Sequence, residues 1–563
     1  MNRRAALLIS LLVCGLFAVF FAVPAVLMIA QAFDGPDGPT LETLRVAFEN
    51  PVHREGLWNA FWIGMASTLL CLVIAFPLAL IGHRYEFPGK KWLGVLLLAP
   101  MVLPPFVGAV GVKSMLGVNG ALNAGLIQLG LMDAASPHDW LAHGRLAGIV
   151  LMIALNLYPI LYLNISAALA NLDPAMEQAA ENLGCPPWKR FWRITLPLAM
   201  PGVFAGASIV FIWAFTELGV PLVFDYGRTT PVQIFDGLKG LENNPIPYAL
   251  TTVLLVLAML VFAASKLVLG RSRLSSAPRP KGRTTARILS PLKAWACTGV
   301  FLTVVLLATL PHLGVILLSF SKRWMGTVLP DAFTTAHYAE ALGHELVVPS
   351  IQNSLIYAGW ASLLALVIGL GVAWVVVRSD LRLRHALDAM VMLPLAVPGL
   401  VMAFGYLALS QEGKPLHFLL GNDGNPALLL IIAYAIRRLP YVVRSAVAGL
   451  QQSDPMLEQA ARSLGATPLR TLRRISIPLI SASVAAGVIL AFAFAMLEVS
   501  DSLILAQQAR HFPITKAIYS MLSTLGNGTE LAAALGTWAM VFLAIAIIGA
   551  GMLGGKRGGW FRV

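Results

Sequence analysis

Twelve long apolar stretches recur along the 563 residues, and they constrain the fold more than any other feature of the chain. They run at about 5–31, 57–82, 92–116, 146–170, 202–226, 247–270, 295–320, 351–377, 387–410, 427–449, 480–506 and 531–553. A helix rises 1.5 Å per residue, so about 20 apolar residues cross the roughly 30 Å of a bilayer's hydrocarbon core. Backbone groups in hydrocarbon must find partners within their own segment, so each stretch is expected to be helical and the fold all-α and polytopic. Pro77, Pro104, Pro159, Pro221 and Pro398 lie inside these stretches and are expected to kink helices rather than end them. The first stretch follows Asn2-Arg3-Arg4 but is much longer than the 7 to 15 residues of a secretory signal's apolar region, so it is expected to be a retained span.

Composition excludes the alternatives. Only 12% of residues are charged and 58% are hydrophobic, against about a quarter charged in soluble domains. The net charge of +13 does not point to nucleic acid, because aromatic residues sit inside apolar runs and basic residues collect between them. Cys14, Cys71, Cys185 and Cys297 form no disulfide framework. If the N-terminus is cytoplasmic, the segments on that side carry 25 Lys and Arg and the opposite side 11. Both termini are therefore expected on the cytoplasmic side of the membrane. Seven of the basic residues fall in 271–294, a Ser-, Pro- and Gly-containing stretch read as a solvated cytoplasmic linker between repeats at 1–270 and 295–563.

The halves are related in sequence. Asp173 to Leu198 and Asp454 to Leu479 match at 13 of 26 positions without a gap, at an offset of 281 residues. Upstream, at an offset of 294, Asn59 pairs with Asn353, Pro100 with Pro394, Pro104 with Pro398 and Gly111 with Gly405. Six spans per copy make the repeats parallel, related by an axis along the membrane normal. Each repeated loop reads as helix, turn, helix: Asp173 or Asp454 as N-cap with proline next, Gly184 or Gly465 in a left-handed position, Pro187 or Pro468 opening a second helix, and Pro197 or Pro478 stopping it before the next span. Met176, Ala179, Ala180 and Leu183, like Leu457, Ala460, Ala461 and Leu464, recur at helical spacing and form a small apolar face.

Glu177-Gln-Ala-Ala180, Gly184 and Ile194-Thr-Leu-Pro197, with Glu458-Gln-Ala-Ala461, Gly465 and Ile475-Ser-Ile-Pro478, resemble the EAA loop of binding-protein-dependent ABC importer permeases. The fused arrangement is similar to the ferric iron and thiamine permeases. The resemblance implies a type I importer fold, two ATPase subunits docked on loops 173–198 and 454–479, and a periplasmic solute-binding protein. It makes Glu177, Ala179, Ala180, Gly184, Pro197, Glu458, Ala460, Ala461, Gly465 and Pro478 the coupling residues. Ferric iron is the first cargo expected from the branch resembled, before thiamine, polyamine or phosphonate.

The chain has no phosphate-cradling G-x-x-x-x-G-K-[ST] loop, so ATP and Mg are expected on a partner and the chain is not expected to be an enzyme. No HxxxH or CxxC supports a metal site. A secondary transporter of six plus six helices is the competing class. Its G-x-x-x-D-R-x-G-R-R-like loop would fall where Gly82 to Lys91 reads GHRYEFPGKK.

Ionisable residues in mid-span cost at least ~2.5–3.5 kcal/mol each and call for a partner or a task. Glu217 aligns with Glu498, and Asp501 follows one turn later. Arg437 and Arg438 align with Asn156 and Leu157, which breaks the symmetry of the halves. All five charged residues are translocation-path candidates, with mutual pairing as the other reading.

Overall fold

The computed structural model describes residues 3–34, 38–102, 104–141, 145–240, 244–271, 287–420, 424–524 and 526–555. Most of the expected linker, 272–286, lies outside them. Nine helices among the described residues are long and apolar enough to cross a bilayer, and two bent helix pairs qualify together. In chain order, spans 1 to 6 are Arg3–Ala32, Pro51–Arg84, Lys90–Met101 with Pro105–Leu116, Arg145–Ala170, Leu196–Phe215 with Gly219–Val223, and Ile246–Arg271. Spans 7 to 12 are Pro291–Phe320, Val347–Arg378, Arg384–Leu395 with Gly399–Leu409, Ala427–Gln452, Ile477–Met496 with Ser500–Leu505, and Gly528–Gly555. Span 10 is long enough but holds Arg437, Arg438 and Arg444, which keep it out of the apolar set. The fold is all-α, with a two-residue parallel pairing of Tyr85–Glu86 with Arg287–Ile288 beside the helices.

The prolines divide into two kinds. Pro77 and Pro159 are inside continuous helices, as expected. Pro104 and Pro398 do more than kink: spans 3 and 9 turn there by 93° and 95°. Pro105 directly follows Pro104, and the N-cap residues Pro104 and Pro398 are extended, at ψ 137° and 145°, so the chain stops one helix and starts another at an angle. Spans 5 and 11 also break, at Thr216–Leu218 and Leu497–Val499.

The chain forms two compact units that do not coincide with its sequence halves. One gathers 1–49, 234–255 and the described chain from Thr334 onward; the other gathers 50–233 and 256–333. The first helix of each repeat therefore belongs with the other repeat's spans. Within the first-named unit, spans 8, 10 and 11 pack together and span 1 lies against the second arm of span 9; within the other, spans 2, 4 and 5 pack together and span 7 lies against the second arm of span 3. The aligned glycines explain how the exchanged helices fit. A Cβ on Gly111 would lie 2.6 Å from the carbonyl oxygen of Pro311 in span 7, and one on Gly405 would lie 2.7 Å from that of Pro24 in span 1. Only glycine allows backbones to pass this closely.

Candidate functional site

The repeated loops fold alike. The Asp173 carboxylate accepts from the Ala175 backbone N–H at 2.9 Å, and Asp454 accepts from Met456 at 2.9 Å, so each caps a nine-residue helix, Pro174–Asn182 or Pro455–Ser463. Gly184 and Gly465 end those helices at φ +75° and +82°, in the left-handed region. Second helices start at Pro187 and Pro468, as the spacing predicts. Pro197 and Pro478 depart from expectation: they do not stop the second helix. The chain passes through one wide turn, Phe191–Thr195 or Leu472–Ser476, and continues into the span with the proline in its first turn. The wide turn accommodates a ring that lacks an N–H.

The small apolar faces look outward. Leu183 and Leu464 are 87% and 88% exposed; Met176, Ala179, Leu457 and Ala460 are also exposed, and Ala180 and Ala461 are half-buried. The glutamates point the other way. Glu177 Oε1 pairs with Arg84 Nη2 at 2.7 Å and accepts a short hydrogen bond from the Thr195 hydroxyl. Glu458, buried, pairs with Arg378 Nε at 3.3 Å. Burial alone would raise the Glu177 carboxyl, but the Thr195 hydrogen bond and the charges of Arg84 and Arg190 hold it below its ordinary value. The loops differ in their fastenings. Arg190 pairs with Glu181 at 2.8 Å in the first, whereas Thr471 and Arg462 stand at those positions in the second, and Ser476, aligned with Thr195, has a buried hydroxyl with no partner among the described residues. Arg84 and Arg378 were missed in the sequence. They align at the same 294-residue offset as Asn59 and Asn353, which was the available signal.

Those asparagines act as a pair too. Asn59 Nδ2 donates to the carbonyl of Arg228 at 2.9 Å, and Asn353 Nδ2 donates to that of Arg510 at 3.0 Å, so each fixes the chain that follows a broken span.

The intramembrane charges separate into two arrangements. Glu217, half-buried, accepts from the backbone N–H groups of Gly219 and Val220 at 3.0 and 3.3 Å and caps the second arm of span 5. Asn156 donates to the Pro100 carbonyl at 2.8 Å, just before the span 3 break. In the second repeat, Glu498 accepts from Arg437 Nη1 at 2.6 Å and pairs closely with Arg438, and Asp501 takes Arg437 at 3.2 Å. Glu498, Asp501 and Arg438 are buried, and Arg437 is 15% exposed. A Cβ on Gly399 would collide with the Arg437 guanidinium, so this cluster ties the span 9 break to the span 11 break.

A two-fold repeat, two broken spans per copy and a capped loop with an outward apolar face are thus all present, and the comparison with known proteins is decisive. The model of the binding-protein-dependent transport system inner membrane component family matches at residues 72–273 and again at 365–553. The chain belongs to that family. It is therefore a multi-pass permease component with the family domain present twice. The Ferric transport system permease protein FbpB of Actinobacillus pleuropneumoniae is 29% identical over 509 residues, covering 88% of this chain and 70% of the relative. A Putative ferric transport system permease protein FbpB 1 of Haemophilus influenzae is 28% identical, covering 88% and 77%. The Spermidine/putrescine transport system permease protein PotB of Haemophilus influenzae is 26% identical over 261 residues, covering 44% of this chain and 90% of the relative.

Proposed function

We propose that this permease carries ferric iron inward across a bacterial inner membrane, receiving it from a periplasmic binding protein and driven by two ATPase subunits. One ATPase subunit docks on each loop, 173–198 and 454–479, and ATP and Mg reside there. Both termini face the cytoplasm. The observation that carries the reading is the outward apolar face on both loop helices, with Leu183 and Leu464 almost fully exposed. An apolar surface presented twice by equivalent helices fits a partner present twice. Similarity to two ferric permeases over 88% of the chain supports iron. Resemblance at lower coverage to a spermidine/putrescine permease keeps polyamine as the runner-up cargo.

In this mechanism the chain supplies no bond-breaking chemistry. The loop helices receive motion from the ATPase subunits, Gly184 and Gly465 set the angle at which each helix ends, and the broken spans hold the path. Glu217 and Arg437, partly accessible, line that path on this reading, while Glu498, Asp501 and Arg438 hold Arg437 in place.

The test is uptake of ferric iron into proteoliposomes holding the chain with its co-purified ATPase subunits and loaded binding protein. Iron accumulation that requires ATP is expected. Uptake of spermidine but not iron would replace the cargo, and failure of any ATPase to co-purify would overturn the docking. Cys185 within the first loop reports orientation: a membrane-impermeant maleimide should label it in inside-out vesicles and not in intact cells.

A further inference from the structure

In both repeats the loop glutamate is gripped by the last residue of a span that is not its neighbour in sequence. Arg84 closes span 2, Pro51–Arg84, and Arg378 closes span 8, Val347–Arg378. Each loop helix is joined by the chain to spans 4 and 5, or 10 and 11. The arginine adds a third attachment, to the span packed against both of them in the same unit. Arg84 Nη2 reaches Glu177 Oε1 at 2.7 Å and Thr195 Oγ1 at 2.9 Å. Arg378 reaches Glu458, and its Nη2 also donates to the Leu450 carbonyl at 3.0 Å and the Ser453 hydroxyl at 2.9 Å, at the end of span 10.

The loop helices turn their apolar residues outward, so the polar Arg–Glu contacts are what they present to spans 2 and 8. We infer that Arg84 and Arg378 are positioning residues that convey displacement of the loop helices into spans 2 and 8. Spans 2 and 8 are continuous helices of 34 and 32 residues, about 50 Å long, so a shift imposed at the arginine is carried along the span, in span 2 past Pro77. The same pairing occurs twice under different local fastenings: Thr195 assists in the first copy and Ser453 in the second. That makes the Arg–Glu contact the shared element. The inference rests on the docking proposed above.

The experiment uses the full transporter in proteoliposomes with loaded binding protein, and reads retained ATPase subunits, ATP hydrolysis and cargo moved per ATP. Arg84→Gln and Arg378→Gln should keep the subunits and hydrolyse ATP, while cargo per ATP falls by about tenfold, within the usual range for coupling between two sites. Arg84→Glu combined with Glu177→Arg should recover most of the loss, as should Arg84→Lys, because charge and reach return. Unchanged cargo per ATP in both Gln variants overturns the inference, as does loss of the ATPase subunits from either, which would make the pair a docking contact. If the wild-type chain binds no ATPase, the docking reading has failed instead.

Discussion

The fourth span of each repeat faces a broken neighbour, and the two copies hold that break by different chemistry. In the first, Asn156 donates to the Pro100 carbonyl and Glu217 caps the helix that resumes after Thr216–Leu218. In the second, Arg437 and Arg438 face Glu498 and Asp501 in a cluster with no net charge. In the first arrangement the Asn156 amide and the Glu217 carboxylate each bond backbone groups beside a break. The second is mutual, since removing any member strands a charge in a medium that solvates it poorly. One architecture therefore tolerates two solutions, and only the second makes four residues depend on one another.

The largest consequence should follow from Glu498→Gln, which takes the carboxylate from Arg438. Breaking a buried pair costs about 3–5 kcal/mol, so the detergent-purified chain should melt far lower and give less folded protein. Adding Arg438→Leu, the residue the first repeat carries at Leu157, should restore most of the melting temperature. A melting temperature left unchanged by Glu498→Gln would make the two breaks equivalent. Transport sharpens the contrast: if Arg437→Asn, Arg438→Leu and Asp501→Val together restore stability but not uptake, the charges serve the cargo as well as the fold.

Next come the exchanged first helices, where the copies should behave alike. Gly111→Ala and Gly405→Ala each push a Cβ within 2.7 Å of a passing carbonyl oxygen, and overpacking of this kind costs about 1–3 kcal/mol. Thermal melts of the two variants should fall by similar amounts. A large loss in one and none in the other would show that the exchange is tight on one side alone.

A smaller loss is expected from Glu217→Ala, which removes a helix cap worth about 0.5–2 kcal/mol. Its melting temperature should fall less than that of Glu498→Gln, and a fall as large would mean that Glu217 also balances a charge.

The smallest effect concerns pH at the first loop. With the Glu177 carboxyl held below its ordinary value, the stability it adds is fully present above about pH 4.3 and is lost as pH falls through the lowered value. The difference in melting temperature between wild-type and Glu177→Gln should therefore stay flat from pH 7 to 5. A difference that decays inside that window would place the carboxyl above its ordinary range.

Much of this was legible in the residues because lipid imposes simple rules. Length and apolarity located the spans, and the internal repeat located the loops, their caps and the two left-handed glycines. The 95° turn at Pro398 was not legible, because a proline in an apolar run reads the same whether neighbouring helices bridge the gap or the chain turns away. The continuation through Pro197 was hidden for a related reason: a wide turn has no residue signature of its own. Arg84 and Arg378 were in plain view as matched basic residues, but two charges at a span's end ordinarily mark only the membrane surface. Their partners lie 93 and 80 residues away in sequence, and only the packing of spans brings them together. The pairing of Glu498 with both arginines was one of two readings left open, and the structure shows that pairing directly.

The exchange of first helices also governs the order in which the chain can be made. The compact unit built on spans 2 to 5 includes span 7, yet span 7 is finished about 50 residues after span 6. At roughly 5–20 residues per second of synthesis, the first repeat waits several seconds in the bilayer with Gly111 uncovered. During that interval the close-approach surface on span 3 is open to any passing helix with a small-residue face. A chain cut within 272–286 would leave each fragment holding a helix that belongs to the other, so the fragments should reach a stable state only when made together.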